Sequence, residues 1–220
     1  MSRQIIILFF GTLFFTKAFS QPQFSLSTDL SLQRNFKKEQ HYWAAGHSII
    51  TNFHLTPTDG IYAWFCYFSK GKFTNNTTAV AKSLLTSPSQ INFQNSALMR
   101  LKQFSVGWKR YLKGNPEAEK SWNLYGSAGF GLMLGTVTNV HSVAIDTALY
   151  TLPVLSGKAN FKRLTFDLGM GAEFPVGGDF FIYSEARAFI PATDYPSEYI
   201  FVNDNAPFVG NLSIGIRLLF

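Results

Sequence analysis

The sequence predicts an all-β protein, an eight-stranded antiparallel up-and-down transmembrane β-barrel preceded by an export signal. Three observations carry this. An apolar run follows Arg3 at the start, eight segments alternate apolar with polar residues, and the chain stops on Ile214-Gly-Ile-Arg-Leu-Leu-Phe220. Hydrophobic residues make up 46% of the chain and charged ones only 15%, with aromatics at 16%. A large share of apolar surface therefore has few charges to cover it.

Residues 1–20 read as a cleaved signal peptide. The run from Ile5 to Phe15 follows a positive charge, and small residues stand at Ala18 and Ser20, so that cleavage would leave 21–220 as the mature chain. A helix over that run, at ~1.5 Å per residue, is too short to cross about 30 Å of hydrocarbon. The single cysteine, Cys66, stands far from the cleavage point, which argues against a lipid anchor, and one cysteine forms no internal disulfide.

Each strand rests on period two, the repeat of side chains on opposite faces of a sheet. The first segment, 24–36, sets Leu26, Leu30 and Leu32 against Ser27, Asp29, Ser31 and Gln33. The second, 42–55, would turn Ala44, Gly46, Ser48, Asn52 and His54 to one side. The third, 60–73, is aromatic on both faces and leaves its orientation open. The fourth, 98–112, opposes Phe104, Val106 and Trp108 to Gln103, Ser105 and Lys109, and the fifth, 122–137, opposes Phe130 and Leu132 to Ser127, Gly129 and Gly131. The sixth is the clearest: Leu164, Phe166, Leu168, Met170 and Phe174 alternate with Arg163, Thr165, Asp167, Gly169, Gly171 and Glu173. The seventh, 180–190, places Glu185 and Arg187 opposite Ile182, Ala186 and Ala188, and the eighth runs to Phe220.

The connections alternate in length. Short, turn-rich segments at 56–60, 113–120 and 175–179 separate longer ones at about 74–97, 138–160 and 191–206, with 37–40 the one short outer connection. Short turns on one side and long loops on the other suit a membrane barrel with both termini in the periplasm. A soluble sandwich or lipocalin-like barrel shares the period-two strands. What separates the two is the direction of the charged face, inward in the membrane and outward in water.

An even count of eight strands, the export signal and the terminal Ile214, Ile216, Leu218 and Phe220, an apolar ladder ending on an aromatic carboxy terminus, together resemble the small outer-membrane barrels grouped with OmpA, OmpX and OmpW. The resemblance spans about 22–220. It implies a Gram-negative outer-membrane location, contact with outer-membrane lipid and lipopolysaccharide, and delivery by the barrel-assembly machinery through those four C-terminal residues. The chain leaves no room for a peptidoglycan-binding domain after the last strand, and the resemblance does not fix an activity.

No motif points to catalysis. His41, His47, His54 and His141 stand outside any G-x-S-x-G turn or recognisable His/Ser/acid pattern, the His spacing and lone cysteine do not suit zinc, and no EF-hand spacing is present. Neither cofactor nor metal is expected. The leading expectation is a non-enzymatic structural or surface-binding, adhesin-like barrel acting through its outer loops. A small conduit is the alternative, and a lipid-modifying enzyme a remote one. Arg3 and Lys17 supply two of the +6 charges, leaving +4 on the mature chain, too few and too scattered for nucleic acid.

Two groups of residues are candidates for function. If the polar faces point inward, Lys109, Arg163, Asp167, Glu173, Glu185, Arg187 and Arg217, all from the last five strands, share a narrow lumen and must pair, because a lone charge there loses its hydration uncompensated. Glycines on the same faces would leave room for the long Arg and Lys side chains. That reading predicts a plugged barrel. In the last outer loop, Asp194, Tyr195, Glu198, Tyr199 and Asp204 form a candidate binding surface for an unidentified ligand. Lys37, Lys38, Lys70, Lys72, Arg100 and Lys102 would gather at the outer rim, at the height of lipopolysaccharide phosphates. Trp43, Trp122, Tyr42 and Tyr111 fit interfacial girdles or packing at the turns.

Overall fold

The computed structural model describes residues 23–37, 40–193, 198–199 and 209–220. The proposed signal peptide lies outside them. Among the described residues eight long strands run up and down: β1 (Gln23–Asn35), β2 (Tyr42–His54), β3 (Asp59–Ala81), β4 (Gln90–Lys113), β5 (Asn123–His141), β7 (Gly157–Gly177), β8 (Phe180–Pro191) and β9 (Val209–Leu219). Between β5 and β7 a two-residue strand, β6 (Tyr150–Thr151), pairs with the upper end of β3. All pairings are antiparallel. Strand β1 bonds to both β2 and β9, and β2 to β3, which closes the ring; above it β3 continues from Gly71 paired with β4 alone until β6 joins at Val80 and Ala81.

The direction of the alternation is decided by burial. Ser25, Ser27, Asp29, Ser31 and Gln33 of β1 are buried in the lumen, whereas Leu26, Leu30 and Leu32 between them are exposed. The same holds around the ring, where Phe104, Phe130, Leu164, Ile182 and Ile216 all face out. An outer wall of this kind would be untenable in water and is what a hydrocarbon layer requires. Its lower margin carries exposed Phe53, Trp108, Trp122, Phe174, Phe180 and Phe220, and Trp122 stacks on Phe174 with ring centroids 6.4 Å apart. Trp43 and Trp122 thus belong to the outer wall, while Tyr42 and Tyr111 point inward and are buried.

Strand β3 resolves its ambiguous pattern through a bulge. Tyr62, Trp64, Cys66 and Phe68 face the lumen, then Lys70 adopts φ 62° and the register with β4 shifts between Phe68 and Gly71, so that Phe73 continues inward. One extra residue switches the parity of the strand. Segment 74–97 corrects the sequence reading: it is not a long loop. Strands β3 and β4 continue pairing as far as Val80 and Gln90, which leaves only residues 82–89 as the connection. Part of 138–160 is likewise strand, in β5, β6 and β7.

Candidate functional site

The barrel offers two places where function could reside, its interior and the lobe above its rim. The lower interior is polar. Glu173 on β7 bonds Lys109 Nζ at 2.5 Å and Arg217 Nη2 at 3.0 Å, and it accepts a hydrogen bond from Tyr111 at 3.2 Å. Arg217 also donates to the carbonyl of Pro116 at 2.9 Å, tying the 114–122 turn across the lower mouth. Glu185 pairs with Arg187 at 2.6 Å and accepts from Tyr125 at 2.8 Å. Arg187 lies between two rings, 4.8 Å from Tyr62 and 4.7 Å from Trp64. Asp167 is held by hydroxyl and amide groups instead of a cation: Thr165 donates at 2.7 Å, and Ser105 and Gln103 reach the other oxygen. Asp29 forms a comparable centre with Ser31, Ser48 and Tyr183, the last at 2.6 Å.

Of the seven lumen charges read from the sequence, all are buried inside the ring. Three meet in the Lys109–Glu173–Arg217 cluster and two in the Glu185–Arg187 pair. Arg163 packs against the Phe161 ring at 5.4 Å, and Asp167 stands apart with its neutral donors. Asp29 lies on the same inward face but on β1, outside the last five strands from which that set is drawn. Its signal is its place among Ser27, Ser31 and Gln33 on the polar side of the first segment.

The upper interior departs from expectation. Phe68, Phe73, Ala97, Met99, Leu101, Met133, Val137, Phe161, Phe189 and Val209 form one buried apolar cluster with Trp64 and Tyr42. Glycines serve this layer: a Cβ on Gly135 would fall within the Phe161 ring, and one on Gly107 or Gly129 would collide with Tyr62. The room that these three leave is filled by aromatic rings, whereas Gly169, lower down, faces Ser127, Glu185 and Arg187 as the sequence suggests. Two voids in the described lumen measure about 10 and 20 Å³. A water molecule needs roughly 10–15 Å³, so each void admits about one.

Above the rim, the β3–β4 hairpin and β6 form a lobe with its own small core of Ala79, Phe93 and Tyr150, against which Ile91, Ile145 and Leu152 pack. At the hairpin tip Leu84 and Leu85 are fully exposed, at 106% and 95% of a free side chain. A turn presents them, with Thr86 N–H donating to Ser83 O and Leu85 N–H to Ser83 Oγ. A groove of about 550 Å³ lies beside the lobe, lined by residues that include Val140, His141, Ile145, Leu155 and Tyr199.

Of the last-loop candidates, Asp194, Tyr195 and Asp204 lie outside the described residues, as does Lys38 of the rim. Glu198 and Tyr199 dock through their backbone: Glu198 O accepts from Leu155 N–H and Tyr199 O from Asn139 Nδ2, both at 2.7 Å. The C-terminal Ile214, Ile216 and Phe220 are exposed on the outer wall, with Leu218 on the same face, and Phe220 N–H donates to Phe24 O at 2.8 Å.

The histidines are dispersed. His54 lies 3.0 Å from Ser25 Oγ inside the lower lumen, His47 is outside beside Tyr67, His41 is exposed, and His141 sits at the top of β5 against Phe93. Among the described residues no group of three or more His, Cys, Asp or Glu is arranged to hold a metal ion.

No family model and no curated protein matches the chain. Solved structures do. Neisserial surface protein A aligns with a TM-score of 0.58 at 11% identity, over 90% of this chain and 97% of that one. A major outer membrane protein from Thermus thermophilus gives 0.55 at 10% identity, over 91% and 100%. Ail, the attachment invasion locus protein of Yersinia pestis, gives 0.51 at 13% identity, over 90% and 99%. The chain has the fold of the small outer-membrane β-barrels. Within that barrel type, of the OmpA and OmpX kind, this chain combines an interior charged below and apolar above with a strand-built lobe on one side of the rim.

Proposed function

We propose that this barrel is a non-enzymatic surface protein that binds a partner through its outer lobe, and that it does not conduct. The observation that carries the reading is the pair Leu84–Leu85, held in water at the tip of a hydrogen-bonded hairpin. Fully exposed adjacent leucines cost solubility unless something covers them, and an outer tip is where a partner arrives first. The filled lumen supports a scaffold over a conduit. The name of Ail, an attachment protein, is consistent with a surface-binding role for this barrel shape.

In this reading both termini are periplasmic, the assembly machinery recognises Ile214, Ile216, Leu218 and Phe220, and the outer collar meets lipopolysaccharide. Lys102 and Lys162 share one outward row through Leu134, and Lys72 and Lys158 share another through Leu98 and Thr138. Arg100 lies between these rows on β4. Among the described residues, every charge on the outer wall at this height is positive, which suits a layer of lipid phosphates.

Cells displaying the barrel should adhere to a host-cell or matrix surface, and L84S/L85S should abolish that adhesion while the folded, heat-shifted gel band persists. Equal adhesion by both proteins would reject the tip as the binding surface. Steady single-channel currents from the purified barrel in planar bilayers would reject the closed scaffold.

A further inference from the structure

On the wall formed by β7, β8, β9 and β1, the outward positions near the top of the apolar belt are unusually small. Ala186 and Ala188 of β8 pair with Leu212 and Gly210 of β9. Larger residues flank them on both sides: Met170 and Leu168 are their partners on β7, and Leu32 and Arg34 face Leu212 and Gly210 from β1. Small residues between large ones hollow a trough of about 490 Å³ into a wall whose other outward positions are mostly Leu, Ile, Val, Phe and Trp. That volume lies within the roughly 300–1,000 Å³ of small-molecule sites. Its faces are alkyl and aromatic, and it opens sideways, where a soluble ligand would not enter.

The upper end of the trough is built differently. Phe36 closes it, approaching to 3.0 Å of the point a Cβ on Gly210 would occupy. Arg34 stands beside it, its guanidinium carbon 4.8 Å from the Trp43 ring and 5.7 Å from the Phe36 ring. These cation–π contacts fix the guanidinium without using its N–H donors, which remain matched to the oxygens of a phosphate. Among the described residues no carboxylate lies within ion-pairing distance of Arg34.

We propose that this trough seats one acyl chain of a phosphorylated glycolipid of the lipid A type, with Arg34 holding a phosphate at its head. The proposal rests on the reading above that this wall faces the outer leaflet. An alkyl trough ending in a cation has the polarity of such a lipid, apolar below and anionic above. A second copy of the chain is a poorer occupant, because it would bring its own cationic collar against Arg34.

The test is native mass spectrometry of the mature chain, folded in detergent and titrated with purified bisphosphorylated lipid A. One saturable adduct per barrel is expected. A188F, which fills the trough, and R34Q, which removes the head contact, should each weaken it at least about tenfold, as loss of a charge-assisted bond or of the seat would. Lipid lacking its phosphates should bind the unmodified barrel as weakly as R34Q binds lipid A. K120Q, in the exposed lower turn, should retain the adduct. Gel mobility before and after boiling verifies that each variant is folded, and A186L replaces A188F if the latter is not. Undiminished binding to the filled-trough variant overturns the proposal. So does loss of binding confined to K102Q/K162Q, which would leave only the collar, or a dimer of the unmodified barrel that A188F dissociates.

Discussion

Arg217 on β9 and Lys109 on β4 share a single counter-ion, Glu173, each bonded to a different oxygen of its carboxylate. All three side chains are almost wholly removed from solvent. Deleting the carboxylate would leave two buried cations facing one another. Glu173→Ala should therefore lower unfolding stability by about 3–5 kcal/mol. An exposed turn substitution, Glu119→Ala, should stay within about 0.5 kcal/mol. Urea titration followed by tryptophan fluorescence separates these outcomes, and equal midpoints would show that the cluster contributes little.

Two glycines on β5 should respond in opposite ways. A Cβ on Gly135 meets the ring of Phe161, whereas one on Gly126 finds only a carbonyl oxygen 3.9 Å away. Gly135→Ala should cost about 1–3 kcal/mol by overpacking. Gly126→Ala should leave stability unchanged or raise it by about 0.4–1 kcal/mol through the unfolded chain. The same urea titration reads both.

Phe220 ends the chain in backbone pairing with Phe24, with the two ring centroids 5.8 Å apart. Deleting Phe220, or replacing it with Ser, should leave export intact and reduce the folded, protease-resistant fraction recovered from outer membranes. Normal recovery would remove any role for this residue in assembly.

His141 stands above the belt at the top of β5. Burial lowers its pKa from the ordinary value of 6.5, against a backbone hydrogen bond with Val154, and its Nε2 is buried without a hydrogen-bond partner among the described residues. The folded lobe therefore holds the neutral ring, and the unfolded chain takes up the proton more readily. The stability drawn from this residue is complete above about pH 6.5 and declines as pH falls below it. Amide hydrogen exchange over 142–156, corrected for intrinsic rates, should show less protection at about pH 5 than at about pH 7.5, and His141→Phe should flatten the difference.

How far the sequence reveals this architecture can be judged strand by strand. The sixth segment of the sequence, β7 in the structure, is plain because Leu164 through Phe174 alternate without exception between lipid and lumen. Strand β3 is opaque because Tyr62, Trp64 and Phe68 fill the interior while Phe65 and Tyr67 coat the exterior, and the bulge at Lys70 then changes the parity. Thr74 to Thr78 and Gln90 to Ser96 read as loop because they rise above the belt, where water on the outer face removes the apolar half of the pattern. The apolar upper lumen does carry a signal: Met99, Leu101, Met133, Val137 and Phe161 are apolar residues in the register of the polar face. The pairing of Glu173 with Lys109 and Arg217 follows only from the register of β4, β7 and β9, which one sequence does not contain.

The β3–β4 hairpin has a consequence for recognition that depends on its being strand and not coil. A floppy loop must be ordered when it meets its partner, and that lost freedom, on the order of 1–2 kcal/mol per residue for the backbone, is subtracted from the contact energy. Here the ladder from Gly71–Met99 to Val80–Gln90, braced by β6, has already ordered the stalk as part of folding the barrel. Leu84 and Leu85 are thereby presented at a fixed reach and azimuth on one side of the rim. Under the proposed binding role, encounter would be a docking of preformed surfaces, in which two leucine side chains can suffice as an anchor because little is left to immobilise.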